Sequence, residues 1–426
     1  QLPRALRECG GRLTALQVDD EIVRFEAGDG PERLLGIAFD IGTTTVVGYL
    51  MDLESGEQLA FSSRLNPQTR YGDDVVSRID YASRAEGGLA TLQGIIIEAL
   101  NEIIADTTAA AAVDAQDILA MTVVGNTTMQ HLFLGINPEA LATAPYVPVV
   151  VDAVCLRASE LGIAIYPQAH VWALPNIAGW VGADTVGVLL ATGIWQQDEL
   201  ALAIDIGTNG EMAMGSRDRL IACSTAAGPA FEGAHLSCGM RAAAGAIDAV
   251  WIDERYEPTW RVLGNVPPRG ICGSGMISLL AEMFAAGVIG RSGRIQKNLA
   301  TPRVRMGEHG AEYVVAWASE TGQDQDIVLT EVDIENLIRT KAAIYAGFTV
   351  LLESVGTKLE ELERVMIGGA FGQYIDVEKS IQIGLLPDLP WDRFHFLGNT
   401  SVAGAYQCLA NRERRRRVDE IGAMMT

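Results

Sequence analysis

The chain has 426 residues, of which 49% are hydrophobic and 20% charged, and its net charge is −22. This length exceeds what one ordinary core fills, so two lobes are expected, and the composition is that of a folded globular protein rather than a disordered one. The acidic balance excludes nucleic acid, whose phosphates need clustered Lys and Arg; no apolar run reads as a bilayer span and no secretory signal is evident, so no membrane and a cytoplasmic location are expected.

The chain starts at Gln1 rather than Met and is expected to be either a processed chain or a piece of a longer protein. Residues 1–33 lack the strand and helix patterning that begins near Leu35 and suit the tail of an upstream linker or middle domain. From Leu35 an apolar run ends in Asp40, turns at Gly42-Thr43 and continues as a second strand-like run from Thr45 to Leu50, which is the pattern of a β-hairpin. Apolar residues at three- and four-residue intervals then predict helices over 73–86 and 89–108. A buried strand over 118–124 ends in Gly125-Asn126-Thr127-Thr128, and a helix is expected over 182–190.

The first hairpin then returns. Leu35-Gly36-Ile37-Ala38-Phe39-Asp40-Ile41-Gly42-Thr43 is matched 165 residues later by Leu200-Ala201-Leu202-Ala203-Ile204-Asp205-Ile206-Gly207-Thr208, with six of nine positions identical. The second copy continues into Glu211-Met212-Ala213-Met214. One such match would be weak; two in one chain predict a duplicated architecture. Beyond it, residues 270–275 precede an apolar helix over 276–286. Residues 291–330 are polar and strand-poor, suiting an excursion on the second lobe. A long helix is predicted over 332–355, and a short strand over 364–367 runs into Gly368-Gly369-Ala370-Phe371-Gly372. The basic run at 412–417, interrupted by Glu413, is expected to be a solvated helix end favoured by the helix dipole.

A phosphate chain with bound Mg²⁺ needs backbone amides, hydroxyl donors and carboxylates that hold the metal or its waters. Residues 40–45 offer all three. Gly42 lets the turn close, Thr43, Thr44 and Thr45 present hydroxyls and amides, and Asp40 takes Mg²⁺ through water. Asp205, Gly207, Thr208, Asn209 and Gly210 offer the same from the second copy, with Asn209 in place of a threonine and Glu211 as an additional acid. The bland account, two decorative turns, does not explain the duplication. No stretch matches the Gly-x-x-x-x-Gly-Lys-Ser/Thr phosphate loop. The six cysteines (Cys9, Cys155, Cys223, Cys238, Cys272, Cys408) are scattered, with no pair at metal-ligand spacing, which fits free thiols in a reducing compartment.

These elements resemble the phosphate-1, phosphate-2 and adenosine motifs of the superfamily of acetate and sugar kinases, heat-shock chaperones and actin. The third is Val365-Met366-Ile367-Gly368-Gly369-Ala370-Phe371, whose paired glycines let adenine and ribose lie against bare backbone. Gly182-Ala183-Asp184 resembles the first connecting motif, from which such proteins often supply an acid toward the γ-phosphate. Gly404-Ala405 resembles the second, which returns a C-terminal helix to the first lobe. The resemblance implies an α/β, two-lobed, duplicated actin-like ATPase fold with ribonuclease H-like lobes and a nucleotide cleft between them. The lobes would span 34–198 and 199–395, with 396–426 as the returning helix. Asp40, Asp184 and Asp205 would be catalytic, Asp40 and Asp205 would hold Mg²⁺ through water, and Gly42, Thr43, Thr44, Thr45, Gly207, Thr208, Asn209, Gly210, Gly368 and Gly369 would bind the nucleotide.

The match narrows through residues 124–132, 226–233, 238–241, 270–275 and 384–387. Together these resemble the C-terminal ATP-binding domain of ATP-dependent reductive activators of corrinoid proteins, over roughly residues 34–410. In that family a plant-type ferredoxin domain with a 2Fe–2S cluster precedes a linker and a middle domain. The ATP-binding domain docks a corrinoid protein whose cobalt has slipped from Co(I) to Co(II). The resemblance implies ATP and Mg²⁺ as ligands, a corrinoid protein of a methyltransferase system as partner, and a ferredoxin-like domain in cis or in trans; it leaves room for a homodimer. The chain departs from the pattern in having no C-x₄-C-x₂-C run, so the cluster is expected before Gln1 or on another protein. The stretch 224–238, with Ser224, Ser237 and Cys238, suits either a loop facing the corrinoid or lobe packing. Cys223, Cys238 and Cys272 are expected to be inert thiols, His131 and His235 structural, and Lys341 either a surface lysine or one that reaches the nucleotide. The rivals are a small-molecule kinase of the same fold, which needs an acceptor pocket with a base such as Asp184; a 2-hydroxyacyl-CoA dehydratase activator, disfavoured because it holds its cluster with cysteines of this domain; and an actin-like filament or chaperone module, of whose surfaces the sequence carries no sign.

Overall fold

The computed structural model describes residues 3, 6–7, 12–18, 20–31, 33–234, 236–308, 310–369 and 375–425. The chain divides into two units, one made of residues 1–193 and 400–426 and the other of residues 194–399. Upstream of the first motif, β1 (Leu13–Val18) and β2 (Glu21–Ala27) pair as an antiparallel hairpin. It is tied to the first unit by the Tyr166 hydroxyl donating to the Val23 carbonyl at 3.1 Å and by Arg24 donating to the Gln116 carbonyl at 2.9 Å.

The first unit is built on β3 (Leu35–Ile41), β4 (Thr45–Asp52), β5 (Gln58–Leu65), β6 (Ile118–Gly125), β7 (Val154–Arg157) and β8 (His170–Ala173). Their order in the sheet is β5-β4-β3-β6-β8-β7. β3, β4 and β5 form an antiparallel meander, whereas β6 and β8 run parallel to β3. β6 is buried at every position, as a parallel strand covered on both faces must be. One face is covered by the helices Val75–Arg84 and Gly88–Ala111, the first capped by Asp74, whose carboxylate accepts the Ser77 amide at 2.7 Å.

By length and composition alone, Gly88–Ala111 could cross a membrane, against the expectation that no such run exists. Its apolar side (Leu92, Ile96, Leu100, Ile103) is buried in the core of the unit, and Glu102 and Asp106 on the same helix pair with Arg64 of β5. The helix is therefore amphipathic in its packing. On the other face of the sheet lie Ala183–Thr192 and Thr400–Ala410. They meet backbone to backbone: a Cβ on Gly404 would sit 2.0 Å from the Gly187 carbonyl oxygen. The Thr122 hydroxyl of β6 donates to the Ala405 carbonyl at 2.8 Å, which fixes that helix on the sheet.

The basic run is less solvated than expected. Residues Arg412–Arg416 are helical, yet the Arg415 guanidinium lies 4.3 Å from the Trp172 ring centroid and donates to the Cys408 carbonyl in the last turn of Thr400–Ala410. It thus caps a negative helix end while stacking on an aromatic face.

In the second unit, β9 (Ala201–Ile206), β10 (Gly210–Ser216) and β11 (Arg219–Thr225) form the meander. The remaining strands are β12 (Ala246–Ile252), β13 (Pro258–Val262), β14 (Gly270–Ile271), β15 (Val304–Gly307), β16 (Gly310–Ala316), β17 (Ile327–Thr330), β18 (Arg364–Gly368) and β19 (Phe394–Gly398). The main sheet is ordered β11-β10-β9-β18-β19, the arrangement of β5-β4-β3-β6-β8, again with a meander on one side and two parallel strands on the other. The nine-residue repeat is thus the local sign of a repeated topology. The helices Gly273–Ala285 and Glu331–Val355 pack into its core, the latter started by a Thr330–Asp333 capping box.

The region 291–330 is not strand-poor: β15, β16 and β17 make a three-stranded antiparallel sheet. Its charges disguise it. Arg305 pairs with Glu312 at 2.7 Å and Asp326 at 2.8 Å, and the buried Arg303 pairs with Glu257 at 2.8 Å. Residues that look like solvated loop are ion-paired across the sheet.

Candidate functional site

Both repeated hairpins end at the same place in their sheets, the carboxyl ends of the parallel strands, where α/β sheets bind ligands. In the first, Ile41 pairs with Val46, leaving a four-residue loop that closes by the Gly42 amide donating to the Thr45 carbonyl at 3.0 Å. A Cβ at residue 42 would lie 2.6 Å from that oxygen, so only glycine fits. Every carbonyl of the next stretch is tied down. Asn66 Nδ2 donates to the Gly42 carbonyl at 2.8 Å, Arg78 Nη2 to the Thr43 carbonyl at 2.6 Å, and the Asn66 amide to the Thr44 carbonyl at 2.8 Å. The Thr43 hydroxyl accepts from Asn126 Nδ2 at 2.8 Å, and Asn126 also caps the helix Thr127–Leu134.

Asp40 is half-buried at the end of β3. Gly182 abuts this group, since a Cβ on it would lie 2.5 Å from the Thr127 amide nitrogen. That contact brings the first turn of Ala183–Thr192, with the half-buried Asp184, to the same end of the sheet; Asp184 Oδ1 accepts the Thr185 amide at 2.7 Å. The first unit therefore gathers Asp40, Gly42, Thr43, Thr44, Thr45 and the Asp184 turn.

In the second unit Ile206 pairs with Gly210, so the loop Gly207-Thr208-Asn209 is one residue shorter, closed by the Gly207 amide on the Asn209 carbonyl at 3.1 Å. Asp205 and Glu211 stand directly opposite each other on β9 and β10, and Gly368 of β18 stands opposite Asp205 on the other side. Gly369 has φ +101°, and a Cβ there would lie 2.4 Å from the Ile206 carbonyl and 3.2 Å from Asp205 Oδ1. Both glycines thus touch the acid through backbone alone. Ala370, Phe371 and Gly372 lie outside the described residues, as do Cys9 and His235.

Sequence reasoning missed Glu232. Its carboxylate accepts the Thr208 hydroxyl at 2.7 Å, and burial raises its pKa, with Asp205 adding to the rise while Thr208 and Arg241 oppose it. A raised folded pKa means that the native state binds the proton more tightly than the unfolded chain. The associated stability is present below the unfolded pKa and is lost as pH rises through the folded value. Glu232→Gln keeps an acceptor for Thr208 but does not titrate. Urea unfolding between about pH 4 and pH 8 should therefore show the wild type losing stability relative to the variant as pH rises. Parallel stability curves would contradict the assignment.

Ser224 lies on β11 opposite Glu211 and donates to it at 3.4 Å. Ser237 and Cys238 instead line a cavity of about 430 Å³ with Arg269 and Asp326, and Ser224 is not part of its lining. Burial pushes the Cys223 thiol up to about 11 and the Cys408 thiol to about 12, and raises that of Cys238; Cys272 is buried. Thiols so raised are unreactive. His131 is buried, its Nδ1 on the Thr127 carbonyl at 2.7 Å and its Nε2 accepting the Val149 amide at 3.1 Å. Burial lowers its pKa, as suits a neutral structural ring. Lys341 is half-buried on Glu331–Val355, near Gly384.

Among the described residues no group of three or more His, Cys, Asp or Glu could cage a metal ion. Mg²⁺ is different: it keeps most of its waters and takes its remaining ligands from phosphate and one or two carboxylates. The half-buried Asp40 and Asp205, each beside a hydroxyl-bearing loop, have the donor chemistry for that.

A family model described as the C-terminal domain of RACo, the ASKHA domain, matches residues 199–426, and one described as the RACo middle region matches residues 35–197. The division between them falls close to the change of unit at residues 193–194. The corrinoid activation enzyme RamQ of Eubacterium limosum is 40% identical over 410 residues, covering 94% of this chain and 69% of that protein. The Co(II) methylated amine-specific corrinoid protein reductase of Methanosarcina barkeri is 28% identical over 426 residues, covering 92% and 73%. The solved structure of a reductive activator for a corrinoid, iron–sulfur protein superposes with a TM-score of 0.93 at 42% identity, covering 100% of this chain and 68% of that one. The fold is that of the actin-like ATPases, and the chain belongs to the RACo family of reductive activators of corrinoid proteins.

Proposed function

We propose that this chain hydrolyses ATP to drive the reduction of Co(II) to Co(I) in a corrinoid protein of a methyltransferase system, with electrons supplied by a 2Fe–2S ferredoxin-like domain outside these residues. The observation that carries the reading is the pair of Asp-x-Gly-Thr hairpins, each at the carboxyl end of its parallel strands, in a chain of this family. Gly42, Thr43, Thr44 and Thr45, with Gly207, Thr208, Asn209 and Gly210, take the phosphates. Gly368 and Gly369 take the nucleoside, Asp40 and Asp205 hold Mg²⁺ through its waters, and Asp184 orients the attacking water. Held there, Mg²⁺ would supply positive charge that stabilises the phosphate oxygens.

Reducing a Co(II) corrinoid with a ferredoxin-type donor is uphill. Nucleotide can help only by changing the relative affinity of the activator for the two cobalt states. The test is a titration of this chain against the corrinoid protein as Co(II), Co(I) and methylated forms, with and without MgATP. Tighter binding of the Co(II) form, altered by nucleotide, is expected. Indifference to the cobalt state, with phosphate transferred to a sugar or carboxylic acid, would replace this reading by a small-molecule kinase.

A further inference from the structure

The side chain of Arg78 is completely buried, yet among the described residues no carboxylate forms an ion pair with it. Its four partners are neutral acceptors: the Thr43 carbonyl at 2.6 Å, the Gly72 carbonyl at 2.9 Å, Gln68 Oε1 at 3.4 Å and Met129 Sδ at 3.1 Å. The acids whose charge acts on it, Asp74 and Asp73, are exposed and do not pair with it directly, and Asp74 is also engaged by the Ser77 amide and hydroxyl. Burial lowers the guanidinium pKa to about 10, so it stays charged at neutral pH. A buried charge without a contacting counter-charge is costly, and a methionine or leucine would fill the same space at no such cost.

The location of that charge gives it a use. In a trans peptide the C=O of one residue and the N–H of the next point to opposite sides. With the Gly42 carbonyl held by Asn66 and the Thr43 carbonyl by Arg78, the amides of Thr43 and Thr44 turn to the other side of the loop. A positive charge behind the loop and amide hydrogens in front of it form one electropositive face, the arrangement that attracts an anion.

We propose that Arg78 is a positioning residue for polyphosphate: it turns the Gly42–Thr45 loop outward, and the bound phosphates add to the counter-charge that Asp74 and Asp73 supply only from the surface. This rests on the reading of that loop as a phosphate-binding element. The expected size is that of one hydrogen bond to a charged group, on the order of ten- to a hundredfold in affinity.

The experiment is calorimetric titration of the whole chain with MgATP, inorganic tripolyphosphate and adenosine. Arg78→Met should weaken MgATP and tripolyphosphate by about ten- to a hundredfold and leave adenosine unchanged. Arg78→Lys keeps the charge without the fork and should recover part of that loss. Gln68→Glu is the sharper variant, and it decides the matter if Arg78→Met does not fold. It nearly preserves shape while putting a carboxylate on Arg78, so it should weaken tripolyphosphate on the order of tenfold. A folded Arg78→Met or Gln68→Glu protein with wild-type tripolyphosphate affinity would overturn the proposal. So would equal losses for adenosine and MgATP, which would mark general damage. A wild-type chain that binds neither MgATP nor tripolyphosphate would instead remove the nucleotide reading itself.

Discussion

Asp40→Ala and Asp205→Ala are each expected to lower ATP hydrolysis on the order of 10²–10³-fold, the scale of losing one preorganised electrostatic contact to a transition state. Each carboxylate stands at the last turn of a buried strand, half-exposed, where truncation opens no core cavity. Folding should therefore survive. Glu211 stands opposite Asp205, and the Asp205 charge helps raise the Glu232 pKa. Removing the Asp205 charge should also lower the Glu232 pKa, a change visible in the pH dependence of stability. If the two aspartates serve the same metal–phosphate group, the double variant should be little worse than either single one, because residues that act as a unit are non-additive. Phosphate release with MgATP, measured on all three variants alongside thermal melts, checks this. A double variant whose loss is the product of the single losses would assign the two carboxylates to independent sites.

Asp184→Asn is expected to cut turnover by roughly one to three orders of magnitude with nucleotide affinity nearly kept, as for a group that handles the attacking water. Its position supports this role. Gly182 has no side chain to hold it off Asn126 and Thr127, Asn126 donates to the Thr43 hydroxyl, and the first turn of Ala183–Thr192 is thereby set beside the loop. Asparagine preserves the shape of that turn but cannot accept a proton. Single-turnover hydrolysis together with nucleotide titration separates the two parameters. Equal losses in both would make Asp184 a metal or binding residue instead.

The repeated hairpins, the six-residue acid–glycine–hydroxyl runs, and the helices Val75–Arg84, Gly88–Ala111, Ala183–Thr192 and Glu331–Val355 are legible in the sequence, because each rests on contacts a few residues apart. Turn closure by Gly42, strand alternation and helical spacing are local properties, and the chain states them directly. The hairpin β1–β2 and the sheet β15–β16–β17 are not legible there, because their polar residues look solvated until their partners are known. Glu312 is a loop-like glutamate in the sequence and a buried partner of Arg305 in the sheet.

Sequence alone determined that this chain carries two copies of one acid–glycine–hydroxyl hairpin on a duplicated α/β frame. Only the tertiary structure decided what holds the first hairpin in shape: Asn66, Arg78 and Asn126 reach it from 24, 35 and 83 residues away. It likewise decided that Glu232, 24 residues beyond Thr208, joins the second. The physical reason is that a buried polar group must find a partner, but nothing in its own neighbourhood along the chain says which one. Burial selects the partner, and burial is a property of the whole fold.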